Sequence, residues 1–149
     1  MARTTGKFAK FTDRRKGPFA ARVSKATRLA MAGVVRTHAE MVREHIKASM
    51  KEEKTGRIYT LLGGWEHQAS APGESPAIAT GNLFNSIKVR TYDRGLAADV
   101  GSFNVPYAGF LEKGTRRMLP RPFLAPALQS VAGRFRLGMA KIVLQSLSL

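Results

Sequence analysis

The chain has 149 residues, 44% of them hydrophobic and 23% charged, with no cysteine; this is enough for one globular core, and it excludes thiolate metal sites, redox dithiols and thiol nucleophiles. Twenty-five Lys and Arg against ten Asp and Glu give a formal net charge of +15, so an acidic or polyanionic surface is the expected partner. The sequence reads as having neither a secretory leader nor an apolar run of membrane length, and synthesis in a cytoplasm is expected.

The charge is uneven, because residues 1–36 hold ten basic side chains and one acid, Asp13. Within 1–20, Lys7, Lys10, Arg14, Arg15 and Lys16 mix with Phe8, Phe11 and Phe19 around Gly17-Pro18 without helical or strand periodicity. This segment reads as a flexible basic arm ahead of a single domain at 21–149. From 21 to 51, Val34, Val35, Met41, Val42 and Ile46 recur at steps of three and four, which predicts a long helix with Ser24 as an alternative N-cap. The charged cluster at 51–54 and Gly56 should end it. Residues 57–62 are β-prone, and 63–77, with Gly63, Gly64, Pro72, Gly73 and Pro76, read as a long loop. Trp65 stands at the start of that loop, where it either pins the loop to the body, the expected arrangement, or anchors a neighbour.

Residues 80–86 predict a short helix capped by Thr80, and 88–92 with 97–102 a β-hairpin around Asp93-Arg94-Gly95. A short helical piece at 107–112 should end at Gly114. Pro122 takes the place of an N1 proline before a stripe of Leu124, Ala127, Leu128, Val131, Phe135, Met139 and Ile142. The expected fold is α+β, a small antiparallel sheet with a long N-terminal and a C-terminal helix packed on one face. At least two of Tyr107, Phe110 and Phe123 are expected in the core.

No arrangement for catalysis emerges. There is no phosphate-binding loop, dinucleotide fingerprint, HExxH or nucleophile elbow. His38 and His45 are seven residues apart, two helical turns, too far to chelate as an adjacent pair, and read as the edge of the core stripe. Glu40 and Glu44 stand among Arg36, Arg43 and Lys47 as a salt-bridged surface, and Asp93, Asp99 and Glu112 are too scattered for a metal-dependent nuclease. No enzymatic activity, metal or cofactor is expected.

The specific stretch is 70–128. It contains, in order, Ser70-Ala71-Pro72-Gly73-Glu74-Ser75-Pro76, Thr80-Gly81-Asn82-Leu83, Val100-Gly101, Tyr107-Ala108 with Leu111-Glu112-Lys113-Gly114-Thr115, and Arg121-Pro122-Phe123-Leu124-Ala125-Pro126. These words, in this order and spacing, resemble the small head-tail joining and tail-completion proteins of tailed bacteriophages, over about 59 residues. The resemblance implies a non-catalytic virion protein, assembled in the bacterial cytoplasm. It implies a homo-oligomeric ring, commonly a hexamer, at the neck, ending the tail tube and docking on the head-side connector while genome DNA passes through its lumen. A minor tail component or head-closure protein is the near alternative.

Ring contacts are expected from the Pro-Gly loop, with Pro72, Gly73, Glu74 and Pro76, and from 107–117, with Tyr107, Glu112, Thr115, Arg116 and Arg117. Glu112 is expected to accept from Thr115 or a nearby Arg. The basic arm departs from the resemblance. It either meets DNA phosphate, as in a non-specific nucleic-acid-binding protein, or grips acidic connector and tube surfaces, which suits a conduit better.

Overall fold

The computed structural model describes residues 24–60 and 62–147. The basic arm, with Lys7, Lys10, Arg14, Arg15 and Lys16, lies outside the described residues, as do 21–23 of the expected first helix. The elements are α1 (Lys25–Lys51), β1 (Ile58–Thr60), β2 (Glu66–Gln68), α2 (Asn82–Ser86), β3 (Ile87–Tyr92), β4 (Ala97–Ser102), α3 (Ala108–Lys113) and α4 (Leu124–Leu147). The fold is α+β. No helix among the described residues is long and apolar enough to cross a membrane.

Helix α1 starts where Ser24 caps it, the hydroxyl accepting from Thr27 N–H at 3.1 Å. It stops at Glu52, which turns extended. Between these ends Val35, Ala39, Val42, Ile46 and Met50 are buried at steps of four and three. The stripe is therefore the helix's core face, and burying a side chain such as Ile46 contributes about 1.5–3 kcal/mol.

That face meets both strands of the β3–β4 hairpin, and α4 runs antiparallel along α1. Three contacts fix the helix pair: Val34 and His38 opposite Gly138, the His38 ring edge-on to Phe135 at 5.6 Å, and Ser130 Oγ 3.1 Å from His45 Nδ1. A Cβ at Gly138 would approach Val34 Cγ1 to 3.2 Å, so glycine sets how closely the helices approach. Ala127 and Val131 of α4 join the core, with Leu124, Leu128 and Phe135 packed against it. His38 and His45 thus sit at the edge of the stripe, as their spacing predicts.

The hairpin pairs Ile87 with Ser102 through Tyr92 with Ala97. Strand β4 is buried almost throughout, because Ala97, Ala98 and Gly101 are small enough for α1 to lie close. Its turn is tighter than the glycine alone implies: Asp93 and Arg94 also take positive φ, 52° and 55°. Tyr92 donates to Asp99 at 2.7 Å, and burial, with this bond and the Asp99 charge, pushes its hydroxyl up to about 12.

Three expectations are corrected. The long loop at 63–77 is interrupted by strand β2, which pairs with β1 through Thr60 and Glu66 to form a second hairpin. Its strands are only three residues long and almost wholly exposed, so no alternation of burial marks them. The short helix α2 is capped by Gly81 at φ 77°, with Thr80 giving Asn82 N–H only a 3.5 Å bond. Helix α4 begins at Leu124, so Pro122 lies before it and Pro126 within its first turn.

Candidate interaction face

The two segments expected to make contacts meet at one end of the molecule, where α1 finishes. Gly73 N–H donates to Pro120 O at 2.9 Å, and Arg121 N–H to Leu111 O at 2.7 Å. These two bonds tie the Pro-Gly loop, the segment 114–121 and α3 together.

Glu112 is the fastening of this end. Its Oε2 accepts from the N–H groups of Phe123 (2.8 Å) and Leu124 (2.9 Å), and Oε1 from Ala125 N–H (2.9 Å). A carboxylate eleven to thirteen residues upstream thus caps α4, satisfying N–H groups that have no partner within the helix and meeting the positive end of its dipole. This corrects the expected bonds to Thr115 or an arginine. It also places the Glu112 carboxylate inside the chain's own framework. Phe123, held beside this cap, is 1% exposed and is the largest fully buried side chain among the described residues.

Glu74 fastens the Pro-Gly loop in the same way. Its carboxylate accepts from Thr55 Oγ1 (2.6 Å), Ala71 N–H (2.8 Å) and Thr55 N–H (3.2 Å). Beside it, Lys54 Nζ donates to Ser49 O (2.7 Å) and reaches Ser75 Oγ (2.8 Å). The Thr55 hydroxyl first, then the two backbone N–H groups and the Lys54 charge, hold Glu74 below the ordinary carboxylate range. A carboxyl depressed on folding stabilises the fold above its unfolded pKa, about 4.3, and that contribution is lost as pH falls through the lower folded value. The stability difference between the natural chain and Glu74→Gln is therefore expected to be full at pH 6 and to close below pH 4, in urea titrations across that range.

Of the expected contact residues, Pro72, Gly73, Tyr107, Thr115, Arg116 and Arg117 are exposed, and Pro76 is buried. Arg116 and Arg117 form the tip of a tight turn in which Thr115 N–H donates to Met118 O at 2.8 Å. Gly114 is required at its base, because at φ 74° a Cβ would come within 2.8 Å of Met118 O.

Tyr107 and Phe110 are 43% and 59% exposed, so of the three aromatics expected in the core only Phe123 is there. Trp65 does not pin its segment: it is 76% exposed, beside a fully exposed Leu62, at the end of the β1–β2 hairpin. Ile58, Tyr59 and Leu119 add further exposed apolar surface. The hairpin stands on a close backbone contact, since a Cβ at Gly56 would collide with Ala69 O.

Between these elements lies a cavity of about 170 Å³, lined among others by Met50, His67, Pro76, Leu83, Tyr107 and Arg121. No family model, no curated protein and no solved structure matches this chain. What the face can do is thus argued from its own chemistry.

Several of the chain's acids are engaged within it, while Glu52, Glu53 and Glu66 at this end are exposed. Glu74 and Glu112 hold loops, Asp99 holds Tyr92, and Glu40 and Glu44 pair with Arg43 at 2.9 and 2.7 Å. Lys47 and Lys51 lie over the Phe84 ring at 4.7 and 5.5 Å, next to the cavity that Phe84 also lines. Exposed apolar and basic side chains thus stand together at this end, beside those three acids. No group of three or more His, Cys, Asp or Glu is placed to hold a metal ion among the described residues. The sequence offers no sign that Leu62 and Leu119 are exposed, it places Phe110 among the core aromatics, and it assigns Arg121 no role of its own beyond the motif that contains it. The Gly63-Gly64 pair next to Trp65 was the available sign of a turn with an aromatic at its tip.

Proposed function

We propose that this is a structural virion protein of a tailed bacteriophage, forming a ring at the head-tail junction that ends the tail tube and docks it to the head-side connector. The observation that carries the proposal is the convergence at one end of two fastened loops and a projecting hairpin with exposed Ile58, Tyr59, Leu62 and Trp65. A two-stranded hairpin is marginal by itself in water, and large exposed apolar side chains mark surfaces that another protein covers. Loops and hairpins that reach to a neighbour through unlike surfaces are what close a ring. No catalytic activity is proposed for it.

The particle mass tests this. Six copies of a 16.3 kDa chain weigh about 98 kDa. Native mass spectrometry is expected to find that species or another closed multiple, with a ring in negative stain. A chain that stays monomeric at all concentrations, and on addition of tail tubes, contradicts it. The near variant, a minor tail or head-closure component, uses the same face and differs in which virion part it joins. Non-specific nucleic-acid binding is the second reading, favoured by the +15 charge. Duplex DNA affinity that falls steeply with salt and vanishes on deleting residues 1–20, without ring formation, would favour it.

A further inference from the structure

Helix α4 has apolar or small residues on two opposite sides, and the fold covers one of them. Val131 is buried, Phe135 packs against the core, and Gly138 lies opposite Val34 of α1. Two residues beyond each of these, about 200° round the helix, stand Gly133, Leu137 and Ala140, and the series continues through Leu144 and Leu147. All five are exposed, the three leucines by 74%, 67% and 69%. Steps of four and three kept up in this way are the a and d positions of a heptad seam, the pattern through which one helix packs on another.

Gly133 is a second sign. A glycine inside a helix destabilises it, and at Gly138 the close approach of α1 accounts for that cost. At Gly133 a Cβ would meet nothing within 4 Å among the described residues, so packing inside the fold does not call for a glycine. The backbone of a helix laid along the seam would.

We propose that this outer seam of α4 docks an amphipathic helix of another protein, one with apolar a and d residues flanked by glutamates. The e and g positions that border the seam include Arg134, Arg136 and Lys141, all exposed, and α4 carries no acid. A second α4 would set these cations against the same three in either orientation, and like charges there oppose pairing. No other described helix of a second copy fits. The side of α1 opposite its core face carries Gly33, Thr37, Glu40 and Glu44 where a seam needs apolar residues, and both glutamates pair with Arg43. Glu112 caps α4, and the exposed acids Glu52, Glu53, Glu66 and Asp93 lie outside the α-helices. A two-heptad strip edged with cations is also narrower than the apolar face that a helix lays on a bilayer.

The test is an NMR titration of the full chain with a capped peptide of three heptads, Leu at a and d, Glu at e and g and Gln elsewhere. Its control has Lys in place of every Glu. The amides of 133–147 are expected to shift saturably with the Glu peptide, about tenfold or more tightly than with the Lys peptide. Leu137→Gln with Leu144→Gln should weaken binding by about a hundredfold and keep the unfolding midpoint. Arg134→Glu with Lys141→Glu should turn the preference to the Lys peptide. Equal response to the two peptides overturns the proposal, and so does binding that the leucine variant retains in full. Shifts at 133–147 on concentrating the protein alone, lost in the leucine variant, would give the seam to a second copy and overturn its assignment to another protein. Protection of 133–147 by phosphatidylglycerol vesicles without binding of the Glu peptide would give it to a membrane and overturn it equally. The peptide comparison uses the natural chain, so it stands even if a variant fails to fold. It also stands apart from ring formation, which is read at 58–68.

Discussion

Glu112→Ala is expected to lower the unfolding free energy by about 2–3 kcal/mol, and Glu112→Gln by roughly half of that. The carboxylate takes three N–H groups at the start of α4, at 2.8 to 2.9 Å. Alanine leaves all three without this acceptor and removes a negative charge from the positive end of the helix dipole. Local caps are worth about 0.5–2 kcal/mol, and bonds to a charged group about 1.5–3 each. Some of the loss is returned by water, because Glu112 is only half-buried. In a chain of this length the midpoint should fall by about 5–10 °C. Thermal and urea denaturation check this; a loss under about 0.5 kcal/mol would mean that water replaces the cap freely.

Leu62→Ser combined with Trp65→Ser should leave the unfolding midpoint unchanged and abolish assembly. Both side chains stand outside the core, so folding has little to lose. Covering a tryptophan takes about 150–250 Å² from water, worth about 4–6 kcal/mol before the costs of association, and interface anchors of this kind usually account for at least about 2 kcal/mol. Two such losses at each subunit contact weaken it by about a hundredfold or more. Leu137→Ser, on the exposed outer side of α4, is the matched control and should assemble normally. Sedimentation of the three proteins at equal concentration decides; equal loss of assembly in the control would mean that exposed apolar area in general, not the hairpin, drives association.

The parts of the fold legible in the sequence are those whose periodicity is set by burial. The stripe of α1 reads as a helix because Val35, Val42 and Ile46 face one core. The β3–β4 hairpin is legible because its runs flank Asp93-Arg94-Gly95. Where burial is absent the signal weakens: 57–62 reads as β-prone and covers β1, but β2 pairs in the open inside the stretch that reads as loop, where only the two glycines mark a turn. Tyr107 and Phe110 were misplaced for a related reason, since an aromatic on a short helix looks the same whether it faces a core or a neighbour.

The Glu112 cap was hidden because its two ends are distant in sequence. Pro122 and Pro126 each resemble a helix start, and the choice between them is made by a carboxylate on α3. The contact segments were legible as loops, but not that Glu74 and Glu112 would be spent in holding them together. Arg121 stands just before Pro122, and its backbone bond to Leu111 O across the fold is equally invisible in the sequence.

Amide hydrogen exchange, compared between dilute and assembled protein, tests most directly whether this end of the molecule is the assembly face. In dilute protein the amides of 58–68 should exchange quickly, because the hairpin's strands are almost wholly exposed. On assembly, 58–68 and 114–121 should slow by about tenfold or more while the outer side of α4 does not change. Protection confined to Leu137, Leu144 and their neighbours, with 58–68 as fast as before, would contradict the account.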